Sequence, residues 1–124
     1  MTNIPTDRQY SAEHEWVRIA DGTATVGVTQ YAADALGDVV YLELPEVGSA
    51  VVAGQACGEI ESTKSVSELF APVTGTVSSV NEDATQAPEV VNSDPYGAGW
   101  LFTVTVEAEG PLMDAEAYTA LTQG

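Results

Sequence analysis

From residue 16 to residue 107 the chain is a succession of short apolar runs, each broken by Gly, Pro, Ser, Asn or Asp. Runs of this length, rich in β-branched and aromatic residues, predict strands. They fall at residues 16–19, 23–28, 38–44, 50–52, 56–61, 66–71, 76–80 and 101–107. Asp21-Gly22 lies between the first two, and both positions tolerate positive φ, so a tight hairpin is expected there. Pro45-Glu46-Val47-Gly48 breaks the third run. Two stretches carry the helical period instead. Thr29 is placed to cap a helix whose apolar face is Tyr31, Ala32, Ala35 and Leu36, with Gly37 as its stop. Asp114 is placed to cap a C-terminal helix with Ala117, Tyr118 and Leu121 on one face. A weaker helical turn is expected around residues 88–91.

This pattern is mainly β with peripheral helices, which suits a small sandwich or barrel and not repeated βαβ units. No low-complexity linker divides the chain, so residues 1–124 are expected to form a single domain. A faint internal echo supports the picture. Gly48-x-x-Val51-x-x-Gly54 leads into the strand before residue 64, and Pro72-x-x-Gly75-x-Val77 leads out of the strand after it. Two similar β units joined by a hairpin would put the residues around position 64 at the outermost turn.

Charge changes the picture next. Nineteen acidic residues stand against three basic ones, Arg8, Arg18 and Lys64, for a formal net charge of −16. Such a surface repels nucleic acid and anionic membranes, both of which are gripped by Lys and Arg. It fits either a protein that meets basic patches on its partners or one that uses acidity for solubility alone. It also favours a monomer. Residues 1–10 contain no apolar core of a leader and a single Arg, so neither a secretory nor a mitochondrial address is expected. The lone Cys57 leaves no intramolecular disulfide. A cytoplasmic location is the resulting expectation.

The chain holds one lysine, Lys64, within Glu61-Ser62-Thr63-Lys64-Ser65-Val66-Ser67-Glu68. The polar stretch 62–65 separates Ile60 from Val66, so the strands should turn here, although no Asn-Gly or Asp-Gly marks the turn. A prosthetic group held through an amide needs an amine at a protruding tip, and lysine offers a long flexible stem with that amine. A solvated loop lysine is the plainer alternative, and the residues alone leave both open. Other chemistry is poorly supported. One His and one Cys are too few for a zinc site. His14 beside Trp16 reads as a partly buried structural residue, and Cys57 between Ala56 and Gly58 as an inert thiol in a strand. Trp16 and Trp100 read as core or cleft walls. Asn92-Ser93-Asp94-Pro95-Tyr96-Gly97 reads as a structured turn.

Several ordered segments do more than any of these. Glu13-His14-Glu15-Trp16 is followed by Gly27-Val28-Thr29-Gln30-Tyr31-Ala32, Leu36-Gly37-Asp38-Val39-Val40 and Glu43-Leu44-Pro45. The 61–69 segment around Lys64 comes next, then Pro72-Val73-Thr74-Gly75, and Val91-Asn92-Ser93-Asp94-Pro95-Tyr96-Gly97-Ala98-Gly99-Trp100. In these motifs and their spacing, from about residue 10 to 118, the chain resembles the H proteins of the glycine cleavage system. The resemblance implies a barrel-sandwich hybrid, lipoyl-domain-like fold of two small sheets with short peripheral helices and a C-terminal helix. It implies a non-catalytic carrier, with lipoate amide-linked to Lys64. Such carriers take an aminomethyl group from a pyridoxal-phosphate glycine decarboxylase (P protein) to a tetrahydrofolate-dependent aminomethyltransferase (T protein). A flavin dihydrolipoyl dehydrogenase (L protein) then reoxidises the dithiol, and a lipoate ligase or a lipoyl or octanoyl transferase attaches the cofactor. In similar proteins the loaded arm folds into a cleft near positions that match Glu15 and Glu68, which are therefore expected as docking residues. Some also donate lipoyl groups onward to other enzymes. The scarcity of lysine is a departure from the family and leaves partner-specific charge hard to transfer. The neighbouring alternatives are a lipoyl domain of a 2-oxoacid dehydrogenase, a biotin carrier, and an unmodified acidic binding module. Biotin carriers usually flank the lysine with Met, where Thr63 and Ser65 stand here.

Overall fold

The computed structural model describes residues 4–123, so the expectations for residues 1–10 and for a domain running from 1 to 124 extend beyond what is described. The chain forms nine strands and four helices among those residues. In order they are β1 (Gln9–Tyr10), β2 (Glu15–Ala20), β3 (Thr23–Val28), α1 (Gln30–Leu36), β4 (Val39–Glu43), β5 (Ala50–Val51), β6 (Ala56–Ser62), β7 (Val66–Phe70), β8 (Val73–Val80), α2 (Glu82–Gln86), α3 (Val90–Ser93), β9 (Phe102–Glu109) and α4 (Ala115–Gln123). A six-stranded sheet runs β1-β2-β3-β9-β8-β5, and a three-stranded sheet runs β4-β6-β7. All pairings are antiparallel. This is the mainly β, two-sheet architecture with short helices and a C-terminal helix that the pattern of runs predicts.

The sheets close on one core. Val17, Val26, Val77 and Val104 from the larger sheet share a cluster with Leu42, Ile60 and Leu69 from the smaller one, each at most 3% exposed. Full burial of each such side chain contributes about 1.5–3 kcal/mol. Asp21 and Gly22 both sit at positive φ (53° and 78°), as a primed hairpin between β2 and β3 requires. The internal echo has a structural counterpart: β5 and β8 lie side by side with Ala50 opposite Thr76 and Val51 opposite Gly75. Gly75 is obligatory where β8 meets β9, because a Cβ there would lie 2.0 Å from the Thr105 carbonyl oxygen.

Five expectations need correction. Asp38 is outside β4, because its carbonyl turns to accept the Thr63 N–H at 3.0 Å. The strand after Pro72 starts at Val73 and not at residue 76, and the last strand runs from Phe102 to Glu109. In α4, Asp114 does cap, accepting the Ala117 N–H at 2.8 Å, but Ala115 and Tyr118 are the buried pair. Tyr118 stacks on Tyr10 with ring centroids 4.7 Å apart, which turns Ala117 and Leu121 to solvent. In α1 the buried residues are Ala33 and Leu36, while Tyr31 and Ala35 are exposed. The cause of that last difference is an open cleft along the helix. Among the described residues no helix is long and apolar enough to cross a membrane.

Candidate functional site

The hairpin joining β6 and β7 carries Lys64. Ile60 pairs with Ser67 and Glu61 with Val66, and the Ser62 N–H donates to the Ser65 carbonyl at 2.8 Å. Neither Thr63 nor Lys64 has positive φ, so the turn is not of the primed type. Ser62 supplies the missing chemistry. Its Oγ, 6% exposed, accepts the N–H groups of Lys64 (3.3 Å) and Ser65 (3.1 Å), and its hydroxyl reaches the Ser65 carbonyl at 3.2 Å. A serine hydroxyl thus closes a turn that Asn-Gly would otherwise build. Ser62→Ala is expected to cost about 1 kcal/mol, read as a lower midpoint in urea with unchanged slope. Lys64 itself is exposed at the apex, and its stem passes Gly37. A Cβ at Gly37 would stand 3.2 Å from Lys64 Cε, and the backbone there, φ 82° and ψ −159°, is one that glycine adopts.

Beside the tip lies a cleft of about 390 Å³ between α1 and β7. Ala32, Ala35 and Leu36 form its apolar wall, Ser65 and Ser67 its hydroxyl edge, and Glu13, His14, Glu15 and Glu68 its polar end. Glu68 is exposed; Glu15 is 2% exposed. Both expected docking residues therefore line one cleft, with Lys64 at its rim next to Ser65. Glu15 Oε1 accepts from Ser11 Oγ at 2.6 Å, and Oε2 accepts from the Phe70 N–H at 3.2 Å. These donors favour the carboxylate, yet burial outweighs them and pushes its pKa up to about 8. Glu15 has no salt-bridge partner among the described residues, and the two salt-bridging cations that do appear lie elsewhere: Arg8 and Arg18 both face Asp7.

His14 has the structural part expected of it. It takes positive φ (71°), its Nδ1 lies 2.8 Å from Tyr118 Oη, and it packs on Tyr31. Burial lowers its pKa. Tyr118 Oη is also 2.7 Å from Thr29 Oγ1, which accepts the Ala32 N–H and caps α1. The helix lining the cleft is thereby tied to the C-terminal helix. Cys57 is half-buried and its thiol is pushed up to about 12, chiefly by burial, so it is no nucleophile at neutral pH. Trp16 is core, its Nε1 donating to the Pro95 carbonyl at 2.9 Å. Among the described residues no cluster of His, Cys, Asp and Glu is arranged to hold a metal. Ser11, Ser62 and Asn92 were not singled out by sequence. Hydroxyl residues flanking a polar turn are the signal that marks the first two.

A two-sheet β domain with an exposed hairpin lysine beside a half-apolar cleft, and no nucleophile–base pair among the described residues, is a carrier-type domain of lipoyl-domain-like fold. Residues 8–124 match the family model described as glycine cleavage H-protein. The chain is 63% identical over 122 residues to the glycine cleavage system H protein of Beutenbergia cavernae, covering 98% of each. It is 57% identical over 123 residues to that of Thermobifida fusca, again covering 98% of each. The crystal structure of a glycine cleavage system H protein from Mycobacterium marinum superposes with a TM-score of 0.94 at 48% identity, covering 98% of this chain and all of that one. The chain belongs to the glycine cleavage H-protein family, the lipoyl carrier components of that system, which are not catalysts. That membership sets aside the 2-oxoacid dehydrogenase domain and the biotin carrier.

Proposed function

We propose that residues 1–124 form one carrier domain in which Lys64 bears lipoate through an amide, and that the loaded arm docks in the cleft between α1 and β7. The observation that carries this is the placement of the chain's one lysine at an exposed hairpin apex on the rim of that cleft. The cleft suits the group in size and chemistry: an apolar wall fits a hydrocarbon arm, and buried Glu15 with exposed Glu68 fits a cationic amine at its end. Lipoate, once attached, supplies a disulfide that accepts the aminomethyl group and electrons, and the hard steps belong to the partners' cofactors. The protein's own residues hold, orient and shield. Ser62 and Ser65 fix the tip, Gly37 leaves room for the lysyl stem, and the cleft excludes water from the amine end. Tethering keeps the arm at high local concentration for each partner in turn.

The partners are the pyridoxal-phosphate glycine decarboxylase, the tetrahydrofolate-dependent aminomethyltransferase and dihydrolipoyl dehydrogenase, with a lipoate ligase or a lipoyl or octanoyl transferase acting first. Donation of lipoyl groups to other enzymes is part of the same reading, as are a cytoplasmic location and a monomer. The surplus of 19 acidic residues over three basic ones supports encounters with basic partner surfaces and disfavours nucleic acid and membranes. The test is intact mass after expression with lipoate and an active ligase, followed by peptide mapping. One lipoyl amide on the peptide containing Lys64 is the expected result. A folded protein with no mass gain would discard the reading.

A further inference from the structure

The Asn92–Tyr96 segment joins no catalytic chemistry, yet its hydrogen bonds reach α1, the α1–β4 corner and β2 around the cleft. Helix α3, to which Asn92 belongs, is only four residues long and has no side-chain cap. The Asn92 side chain faces α1 and β4 instead. Asn92 Oδ1 accepts the Val39 N–H at 2.9 Å, while Nδ2 donates to the Gly37 carbonyl at 2.8 Å and to the Ala33 carbonyl at 3.4 Å. One N–H and two carbonyls leave the carboxamide a single orientation that satisfies all three. Those bonds clamp the corner from α1 to β4 on both sides of Asp38. Asp38 in turn presents its carbonyl to the N–H of Thr63, and the Gly37 backbone lies against the Lys64 stem.

The remainder of the segment grips the other end. The Pro95 carbonyl accepts Trp16 Nε1, next in sequence to Glu15, and Tyr96 Oη accepts the Gln30 N–H at the start of α1 at 3.0 Å. Helix α1 has seven residues, too few to be stable alone, and no acidic residue in its first turn or basic residue in its last. It stands where it does because Thr29, Asn92 and Tyr96 hold it.

We propose that Asn92 is a positioning residue for the carrier lysine: by clamping Gly37 and Val39 it fixes the α1–β4 corner on which the 62–65 tip rests, and so sets the direction in which the Lys64 arm leaves toward the cleft. This rests on Lys64 as the attachment point. It accounts for why a polar carboxamide stands on a helix of only four residues.

The test uses the whole chain without cofactor. Lys64 is the only lysine, so labelling with isotopic lysine gives one side-chain signal, free of overlap. Asn92→Asp keeps the acceptor for Val39 but sets a carboxylate against two carbonyls. Val91→Ala, at a neighbouring residue that is 0% exposed, destabilises α3 while leaving the Asn92 hydrogen bonds to Gly37 and Val39 in place. In Asn92→Asp, hydrogen exchange at the Thr63 amide is expected to quicken about tenfold, and the Lys64 side-chain signal to move toward that of a free lysine. Val91→Ala is expected to lower the melting point while leaving both signals in place. Unchanged Thr63 and Lys64 signals in Asn92→Asp, or equal changes in Val91→Ala, would overturn the assignment. If the aspartate variant does not fold, Asn92→Ser carries the same comparison. Absence of lipoate on the wild-type protein would strike the carrier reading and leave these signals to decide the corner by themselves.

Discussion

Arginine in place of Lys64 is expected to yield a folded domain that takes up no lipoate and supports no glycine-dependent aminomethyl transfer above background. The substitution keeps a long stem and a positive charge at the tip. It removes the one property attachment requires, since a guanidinium stays protonated at any working pH and presents no free amine. Nothing in the turn depends on the side chain. The tip is closed by Ser62 Oγ on the backbone N–H groups of residues 64 and 65, and the stem is exposed where it passes Gly37. The cost in stability is therefore expected to stay within about 0.5 kcal/mol. Intact mass and turnover with the three purified partners measure the two halves of this result. Turnover at the wild-type rate in Lys64→Arg would remove the lysine from the mechanism. A fall in melting point of many degrees would mean that the tip is more than a platform.

The parts of this domain that were legible in sequence are those set by neighbours along the chain. Asp21-Gly22 specifies a primed turn, and the alternation around it puts Val17, Val26 and Val28 inside. The apex at Lys64 followed from a polar break between Ile60 and Val66, although the device that closes it is the Ser62 hydroxyl. What was not legible was set at a distance. Strand β1 has two residues and exists because Gln9 and Tyr10 meet Val17 and Trp16 while Tyr10 bridges to Met113. The apolar face assigned to α1 was partly right for a reason no period reveals. Ala32, Ala35 and Leu36 share a side of the helix, but that side lines an open cleft, with Leu36 buried into the core and Ala35 left exposed. Glu15 is the clearest case, because a glutamate is almost never fully buried and no local pattern marks one that is. Resemblance alone pointed to it, and Ser11, four residues earlier, gave no sign that it would hold the carboxyl.

Burial of Glu15 leads to the second large effect. Its carboxyl, whose pKa burial raises to about 8 in the folded protein, holds a proton that the unfolded chain has already released at neutral pH. That proton's contribution to stability is complete below the unfolded value and is lost as pH rises through 8. Between pH 7 and 9 the loss amounts to about 1.4 kcal/mol for this one group. His14 does not confuse the window, since its lowered pKa places its titration further to the acid side. Glu15→Gln keeps the shape and the contacts with Ser11 and the Phe70 N–H, so the slope of stability over this range is expected to flatten. The same proton bears on docking. A cationic amine entering the cleft favours the ionised carboxyl, so the arm and the proton compete for Glu15, and Glu68 adds a second, solvent-facing charge at the same end. In Glu15→Gln, Glu68→Gln the aminomethyl-loaded arm is expected to hydrolyse about tenfold faster than in wild type, as loss of a charge-assisted hydrogen bond would give. Chemical denaturation at pH 7 and 9 and the decay of the loaded form measure the two effects independently. A flat wild-type profile would place the Glu15 titration elsewhere, and a wild-type decay rate in the double variant would remove both carboxyls from the docked state.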